Sequence, residues 1–319
     1  DVLIAAPYCD DYGAEAYAGC VRLYSGPHEG TRGPDDATAT LLGPYEFAQV
    51  GVSIAGALDA NQDGYADVLV GSLGDNDSRQ SWGAAWLVHG PISGTHFLDE
   101  ADSTYISDEG GDQAGWSVRG GGSSAGAGTI SLLIGAPTSD LEGRESGSAY
   151  VVDAQLTGEV RLGDATAILS SRHQSAHAGQ ALDCAGDTDG DGIDDLIIGE
   201  PQLGAFVDGQ EHEGMAWIVP GPVSGAWLLD DVATEIRSEG TRAFAGYDVS
   251  GIGDSNADGY DDVLVGAYFY TDKSYEDRGA AALFLGPIPR ARDLADADAL
   301  ILGHVEHAFF GIRTAAAGD

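Results

Sequence analysis

Basic residues are scarce in this chain. Lys273 is the only lysine, and 14 Lys+Arg stand against 52 Asp+Glu, which gives a formal net charge of −38 at pH 7. A surface of this sign repels nucleic-acid phosphates and anionic lipid headgroups. We therefore expect neither nucleic acid nor an anionic membrane as a partner. The composition is typical of an acidic, well-solvated surface, as in secreted or salt-exposed proteins.

Long apolar runs are also absent. No stretch stays apolar for the length that a membrane-spanning helix needs, so direct membrane insertion is not expected. No segment of useful length shows helical periodicity, which argues against a helical solenoid. Because the sequence starts at Asp1 and not at Met, we expect a processed form or a piece of a larger chain.

Cysteine is rare, with 3 residues in the chain. Cys9 and Cys20 flank a loop between two predicted strands, which favours a disulfide between them in an oxidising compartment. The alternative is a pair of free thiols. Cys184 has no evident partner, and we expect it to fill a small apolar site without reacting.

Short acidic loops of one design are the dominant motif. Asp254, Asn256, Asp258 and Asp262 occupy positions 1, 3, 5 and 9 of a turn that has Gly259 at position 6. Oxygen side chains at alternate positions of a tight turn converge on one point, and glycine tolerates the positive φ that the turn requires. Donors that are all oxygen select a hard cation such as calcium. An apolar strand pattern follows, so the loop leads into a strand, unlike an EF-hand loop.

The same loop occurs at 59–67 and at 187–195, again before an apolar strand. Three loops with one spacing make a merely solvated acidic turn a poor explanation, and we predict three structural calcium sites. The corresponding stretch at 118–131 carries no carboxylate and is predicted to bind no cation. Asp319 and Asp1 are the remains of a split loop, which we do not count as a site.

The loops belong to an internal repeat of roughly 65 residues. Each unit combines an aromatic or small residue near a glycine, the loop position, an apolar strand, a strand opened by glycine and a final short strand. Four-stranded units at a fixed period predict an all-β fold, a β-propeller. We predict a single domain over 1–319 with five countable blades, formed by 308–319 plus 1–43, 44–107, 108–170, 171–238 and 239–303.

Both chain ends lie in the same phase of the repeat. The segment 309–317 has the pattern of a first strand, and residues 2–6 have the pattern of a second strand. The simplest prediction is closure of the propeller by pairing of these N- and C-terminal strands. The alternative is a segment of a larger propeller whose other blades are missing.

The combination of Phe-Gly, the acidic loop, a Val-Leu-Val-Gly-Ala-Pro-like strand and a glycine-opened strand resembles the FG-GAP repeat. That repeat builds the N-terminal propeller of integrin α subunits and occurs in many bacterial surface proteins. The resemblance covers essentially the whole chain and implies a calcium-bound, extracellular adhesion or recognition module. By motif position it implies three ligand sets: Asp59, Asn61, Asp63, Tyr65 and Asp67; Asp187, Asp189, Asp191, Ile193 and Asp195; and Asp254, Asn256, Asp258, Tyr260 and Asp262.

The chain also departs from that family. Integrin propellers have seven blades, no inserted metal-dependent adhesion domain interrupts these repeats, and no partner subunit follows from the motif. The alanine-rich acidic composition is closer to bacterial than to animal proteins. The resemblance therefore leaves the blade number and the partner open.

The loops opposite the acidic ones vary and carry aromatic and basic residues. Such residues on loops are typical of binding surfaces, although they also serve to cover loop bases. We predict a ligand-binding surface that includes Tyr8, Tyr12, Arg79, Trp82, Phe206, Tyr268, Tyr270 and Tyr275.

The leading functional hypothesis is a non-enzymatic, secreted or cell-surface module that binds an extracellular protein or glycan. One alternative is an accessory propeller of a larger secreted hydrolase. Another is a lectin-like or glycan-active propeller. Acid pairs such as Asp10/Asp11 and Glu211/Glu213 support the last idea weakly, since glycosidic chemistry needs a fixed carboxylate separation.

Overall fold

A computed structural model describes residues 1–10, 17–74, 83–202, 206–207, 210–211, 214–238, 243–272, 276–288 and 290–317. The chain divides into two compact units. Unit 1 comprises Asp1–Gly120 and Ala154–Asp164, and unit 2 comprises Gly121–Asp153 and Ala165–Asp319. The single domain over 1–319 therefore stays a prediction.

Strands account for nearly all regular structure in the described residues. Helical turns are short and lie at Pro34–Asp36, Leu98–Glu100, Leu162–Asp164, Leu229–Val232 and Leu294–Asp296. The strands are β1 (Val2–Ala6), β2 (Cys20–Tyr24), β3 (Ala39–Leu42), β4 (Ser53–Leu58), β5 (Asp67–Ser72), β6 (Ala84–Val88), β7 (Gly94–Phe97), β8 (Ser103–Ile106), β9 (Ser117–Gly120), β10 (Ser131–Ala136), β11 (Ser148–Asp153), β12 (Gly158–Arg161), β13 (Ala167–Ser170), β14 (Ala181–Gly186), β15 (Asp195–Glu200), β16 (Phe206–Val207), β17 (Gln210–Glu211), β18 (Met215–Val219), β19 (Gly225–Leu228), β20 (Thr234–Arg237), β21 (Asp248–Gly253), β22 (Asp262–Ala267), β23 (Ala280–Phe284), β24 (Arg292–Asp293) and β25 (Ala299–Leu302).

Unit 1 contains two sheets. Strands β1, β2, β3 and β7 are neighbours in that order, and β4, β5, β6, β8 and β12 form the second sheet in that order. The strand pairs are antiparallel except at the outer edges. There β7 runs parallel to β3, and β12 runs parallel to β8.

Unit 2 repeats this arrangement. Apart from β16 and β17, its described strands lie in three sheets. Neighbouring strands follow the order β10, β11, β13 and β19 in one sheet, β14, β15, β18, β20 and β24 in the next, and β21, β22, β23 and β25 in the last. Strand β19 is parallel to β13, and β24 is parallel to β20. The short strands β16 and β17 pair only with each other among the described strands. The all-β prediction is confirmed, and sheets of four or five strands are consistent with propeller blades.

The predicted four-stranded blade needs one addition. Strands β7, β12, β19 and β24 each come from one repeat but pair with the last strand of the preceding repeat. They were missed because they are short and exposed; β7, for example, is exposed along its whole length. Their recurring signal is a leucine just after the strand, which is at most 1% exposed in all four cases: Leu98, Leu162, Leu229 and Leu294.

A glycine opens the third strand of each repeat because the next repeat passes close to it. Gly19 has φ +82, and a β-carbon there would lie 2.4 Å from the carbonyl oxygen of Val50. Only glycine avoids both the unfavourable φ and the clash. The same parallel bridge occurs five times within the described residues, at Gly19–Val50, Gly83–Ala114, Gly147–Ala178, Gly214–Ala245 and Gly279–Phe310.

The chain ends do not show the predicted strand pairing among the described strands. Strand β1 is an edge strand of its sheet. Residues 303–317 contain a bridge at Phe310 but no strand. Instead, the backbone N–H and the hydroxyl of Thr314 donate to Asp248 at the start of β21. Closure and the number of blades therefore remain predictions.

Unit 2 also buries a charged network that the sequence did not reveal. The Glu200 carboxylate is 1% exposed and contacts Nδ1 of His173 at 2.7 Å. It also accepts hydrogen bonds from the Ser171 hydroxyl at 2.9 Å and from the Trp217 indole N–H at 2.5 Å. Burial alone lowers the pKa of His173, but the hydrogen bond and charge of Glu200, with the charge of Asp230, outweigh burial and raise it.

Candidate metal centre

Each predicted loop connects the first and second strands of a repeat. The loops lie between β4 and β5, between β14 and β15, and between β21 and β22. In all three cases the register shifts near the end of the first strand, just before the loop. The position-9 aspartates begin the second strands, so each loop is held at both ends by a β ladder. They are Asp67, Asp195 and Asp262.

The position-1 aspartate organises the turn. In the loop at 187–195, Asp187 Oδ1 accepts the N–H groups of Gly190 and Asp191 at 2.7 and 3.0 Å, and its Oδ2 accepts that of Gly192 at 2.9 Å. Asp59 and Asp254 hold the N–H groups at positions 5 and 6 of their loops in the same way. The N–H of Gly259, together with other N–H groups of the turn, holds the pKa of Asp254 below its usual value.

The position-9 aspartates are buried anchors. Asp67, Asp195 and Asp262 are each 0% exposed. One oxygen of each accepts the N–H at position 2 of its own loop, at 2.7, 3.0 and 2.9 Å. The other accepts the N–H of a distant glycine, at 2.8, 2.9 and 2.9 Å. Those glycines, Gly90, Gly221 and Gly286, precede the cis prolines of the repeats. The Oδ2 atoms of Asp195 and Asp262 also accept the hydroxyls of Thr188 and Ser255, so their Oδ1 atoms are the ones that retain acceptor capacity for a cation.

The loops differ at position 3. Asn61 and Asn256 donate their side-chain N–H to the position-5 carboxylates Asp63 and Asp258, at 2.9 and 2.8 Å. Asp189 cannot donate such a bond. One carboxylate oxygen from each of Asp187, Asp189 and Asp191 lies within 4.8 Å of the others. Without a cation, this loop therefore holds more unbalanced negative charge than the other two.

The two remaining loop positions keep part of the same hydrogen-bonded frame. Asp1 stands at position 9 of the split loop, and its Oδ1 accepts the N–H of Gly26 at 3.0 Å, as the buried aspartates do elsewhere. In the loop without carboxylates, Ser131 takes the place of the aspartate, and its hydroxyl accepts the N–H of Ala125 at 3.3 Å. A serine thus keeps a local contact where no acidic ligand is present.

The predicted binding surface is described in part. Tyr8 is 67% exposed and meets Tyr17 edge to face, with ring centroids 6.3 Å apart. Tyr268 and Tyr270 are half-buried, and burial raises the pKa of both phenols. Tyr268 packs in an aromatic cluster that includes Phe244 and Phe269. Outside the described residues or side chains lie Tyr12, Arg79, Trp82, Phe206 and Tyr275.

The cysteines behave as two classes. Cys9 and Cys20 are joined by a disulfide, with their Cα atoms 5.9 Å apart. Cys184 is a free, half-buried thiol, and burial raises its pKa to about 11. A thiol with this pKa is protonated at neutral pH and is a poor nucleophile. In the described part of the chain, no helix is both long and apolar enough to cross a membrane.

The sequence interpretation overlooked position 8 of the loops. Asp194 and Asp261 occupy this position, and each reaches the loop of the preceding repeat. Asp194 Oδ2 accepts the N–H of Ser123 at 2.7 Å, and Asp261 Oδ2 accepts the N–H of Asp187 at 2.8 Å. The adjacent Asp-Asp pairs at 194–195 and 261–262 were the available signal.

Comparisons with known proteins agree with this geometry. A family model described as FG-GAP repeat matches residues 183–219, which contain the loop at 187–195 and strands β15 and β18. Integrin alpha-PS2 of Drosophila melanogaster is 29% identical over 144 residues, which cover 42% of this chain and 10% of that protein. Integrin alpha pat-2 of Caenorhabditis briggsae is 31% identical over 149 residues, which cover 42% of this chain and 11% of that protein.

The aligned parts thus span about a tenth of the length of each relative. The repeated loops, the strands that follow them and the matched segment all indicate the same kind of repeat. The chain contains an FG-GAP repeat at residues 183–219 and resembles integrin α chains over part of its length.

Proposed function

We propose that this chain is a non-enzymatic binding module that calcium stabilises at three loops. It recognises an extracellular protein or glycan through loops at the other end of the strands. The observation that carries the proposal is the common hydrogen-bonded frame of the loops at 59–67, 187–195 and 254–262. Each loop has carboxylates at positions 1, 5 and 9. The carboxylates at positions 1 and 5 accept backbone N–H groups of the same loop, and these hydrogen bonds hold the turn.

The donor set fits calcium better than other common metals. All side-chain ligands at positions 1, 3, 5 and 9 are carboxylate or amide oxygens. Hard cations prefer such donors, and calcium accepts the irregular geometry of a turn more readily than magnesium does. The backbone carbonyls of Tyr65, Ile193 and Tyr260 would complete the shells. Bound calcium would neutralise the clustered carboxylates and so hold the turn.

The recognition surface is proposed from exposed aromatic residues at the loops between the second and third strands. Tyr8 and Tyr17 in unit 1 belong to such a loop and are 67% and 47% exposed, and Phe47 is 51% exposed. Tyr17 stacks on Phe47 with ring centroids 5.6 Å apart. Exposed aromatic rings on loops supply contact area at low conformational cost, as protein-binding surfaces do.

An extracellular setting accounts for the acidic surface and the disulfide. Calcium sites outside cells need dissociation constants of only about 0.1–1 mM. We infer that the chain is secreted or displayed at the cell surface as part of a larger protein. The resemblance to integrin α chains supports a protein ligand. A glycan ligand is supported only by the alternative hypothesis of a lectin-like propeller.

The test is ligand capture with and without calcium. The chain is applied to immobilised extracellular matrix proteins and to a glycan array, in buffer with calcium or with a chelator. Calcium-dependent binding that is lost in Tyr8→Ala or Tyr17→Ala supports the proposal. Turnover of a glycan substrate would instead favour a catalytic propeller. A hydrolase domain in the same gene, together with no capture on either surface, would favour an accessory domain.

A further inference from the structure

We propose that Asp261 is a positioning residue for the metal loop of the preceding repeat, so that the loops at 187–195 and 254–262 act as a coupled pair. The inference rests on the calcium binding proposed above. Asp261 lies outside the predicted ligand sets and belongs to the loop at 254–262. Its contacts, however, are made with the first residue of the neighbouring loop.

Two hydrogen bonds join Asp261 to Asp187. The carboxylate of Asp261 accepts the N–H of Asp187 at 2.8 Å, and the N–H of Asp261 donates to the carbonyl of Asp187 at 3.0 Å. Asp187 is the position-1 residue whose carboxylate gathers the N–H groups of its own turn. The backbone that aims this carboxylate is thus held on both its donor and acceptor groups by the next loop.

The packing around the contact requires glycine at two positions, Gly186 and Gly190. A β-carbon at Gly186 would lie 2.0 Å from the carboxylate oxygen of Asp261. A β-carbon at Gly190 would lie 2.7 Å from the Cε1 atom of Tyr260, the position-7 residue of the loop at 254–262. Asp261 and Tyr260 therefore pack against Gly186, at the end of β14, and against Gly190 of the loop at 187–195, where any side chain would displace them.

The chain provides its own comparisons for this contact. Asp194 makes the equivalent contact with Ser123, but Ser123 lies in the loop that has no carboxylate ligands. In the loop at 59–67, position 8 is Ala66, which has no carboxylate to offer. Only the pair formed by Asp261 and Asp187 thus joins two candidate metal loops within the described residues.

Groups that hold a metal ligand from outside the coordination shell commonly change metal affinity by about 10–100-fold when they are removed. Asp261 acts in this manner on Asp187. Ordering of the loop at 254–262 by its own cation would also hold Asp261 in place, and the two loops would favour each other's occupancy. The loop at 59–67 would bind independently.

The experiment is calcium titration by isothermal calorimetry on the full chain. An Asp63→Ala background silences the loop at 59–67 and leaves two sites. In that background, Asp261→Ala should weaken one of the two sites by at least about tenfold. Asp261→Asn, which keeps an oxygen acceptor for the Asp187 N–H, should stay within about threefold of the background, as should Asp194→Ala.

A second background assigns the affected site. With Asp63→Ala and Asp191→Ala combined, only the loop at 254–262 remains, and adding Asp261→Ala should not change its affinity. If Asp261→Ala does not fold, as judged by circular dichroism, Gly186→Ala replaces it, because the new β-carbon must displace the Asp261 carboxylate.

The outcomes separate this inference from the proposed function. Absence of calcium binding by the unmodified chain would refute the proposed calcium sites themselves. Normal binding in the unmodified chain, with Asp261→Ala no weaker than Asp194→Ala, would refute the positioning role alone. Equal weakening by Asp261→Ala and Asp261→Asn would also refute it, because the charge and not the hydrogen bond would then be responsible.

Discussion

Strands β10 and β15 occupy the same place in successive repeats, yet one is neutral at both ends and the other is charged at both. Strand β15 begins at Asp195 and ends at Glu200, both buried carboxylates. Strand β10 begins at Ser131 and ends at Ala136, and it is buried along its whole length as well. The fold therefore does not need these charges. They are local additions, one for the acidic loop and one for a buried network.

The difference separates two kinds of stability. Strand β10 carries no ionisable side chain, so its own residues should not respond to calcium or to pH. Strand β15 has a paired charge at one end and, at the other, the loop for which we propose a cation. Substitutions in the two repeats test this distinction.

The largest effect is expected at Glu200. Glu200→Ala gives β15 the residue that β10 already has, but leaves His173, Trp217 and Ser171 without their shared acceptor. Removal of one member of a buried ion pair typically costs about 3–5 kcal/mol. We expect a loss of this size in the free energy of unfolding, measured by chemical denaturation. A loss below about 1 kcal/mol would mean that the network contributes little.

The next effect concerns the loop before β15. Asp191→Ala should remove most of the contribution of its calcium, about 3 kcal/mol at a hundredfold excess over the dissociation constant. In chelator the same variant should be no less stable than the unmodified chain, because it relieves repulsion among carboxylates. The readout is the unfolding free energy in both buffers.

The control for this variant is Ser124 in the loop before β10, which carries no carboxylate. Its hydroxyl is buried and has no hydrogen-bond partner among the residues that the structure describes. Ser124→Ala removes an unpaired polar atom, so stability should be unchanged or slightly higher in both buffers. An equal, calcium-dependent loss in both variants would contradict the comparison.

The pH dependence of the network follows from the raised pKa of His173. A raised pKa in the folded state stabilises the protein when the imidazole is charged. This contribution is fully present below the unfolded-state pKa of about 6.5 and is lost as pH rises through the folded-state value. The stability difference between the unmodified chain and His173→Gln should therefore shrink between mildly acidic and alkaline pH.

His177 offers a control of opposite sign for that measurement. Burial lowers its pKa, so protonation opposes folding there. The difference between the unmodified chain and His177→Gln should change in the reverse direction, since this histidine destabilises the fold only as pH falls. If the two stability differences changed with pH in the same direction, the pKa shifts assigned to His173 and His177 would be contradicted.

The smallest effect is expected at position 3 of the first acidic loop. Asn61→Asp gives the loop at 59–67 the charge of the loop at 187–195 and removes the hydrogen bond to Asp63. Affinity for calcium should rise several-fold, while stability in chelator should fall by about 0.5 kcal/mol, as for other exposed charge contacts. Calorimetry and denaturation measure the two changes. Asn256→Asp should behave in the same way.

Much of this structure could be predicted from local patterns. The repeat, the apolar second strands and the glycine-opened third strands are all encoded by short stretches of sequence, and the structure contains them. The outer strands could not be found in that way. Residues such as Gly94–Phe97 are exposed and have no alternating pattern, because they pair with a neighbouring repeat and not with their own.

The position of the acidic loops in the fold was predictable to a similar degree. Spacing alone placed the aspartates at 59–67, 187–195 and 254–262, because ligands within one turn leave a local signature. The roles of Asp261 and Glu200 were not predictable, because their partners lie 74 and 27 residues away in sequence. Blade number depends on contacts between chain ends, for which sequence periodicity offers no test.

The most direct test of the calcium account is thermal unfolding of the unmodified chain in calcium, in chelator, and in chelator with excess magnesium. Three sites of about 3 kcal/mol each predict that chelation lowers the melting temperature by on the order of 10 °C or more. Magnesium should restore little of this loss, because it requires tighter octahedral geometry. Superimposable melting curves in all three buffers would contradict the account.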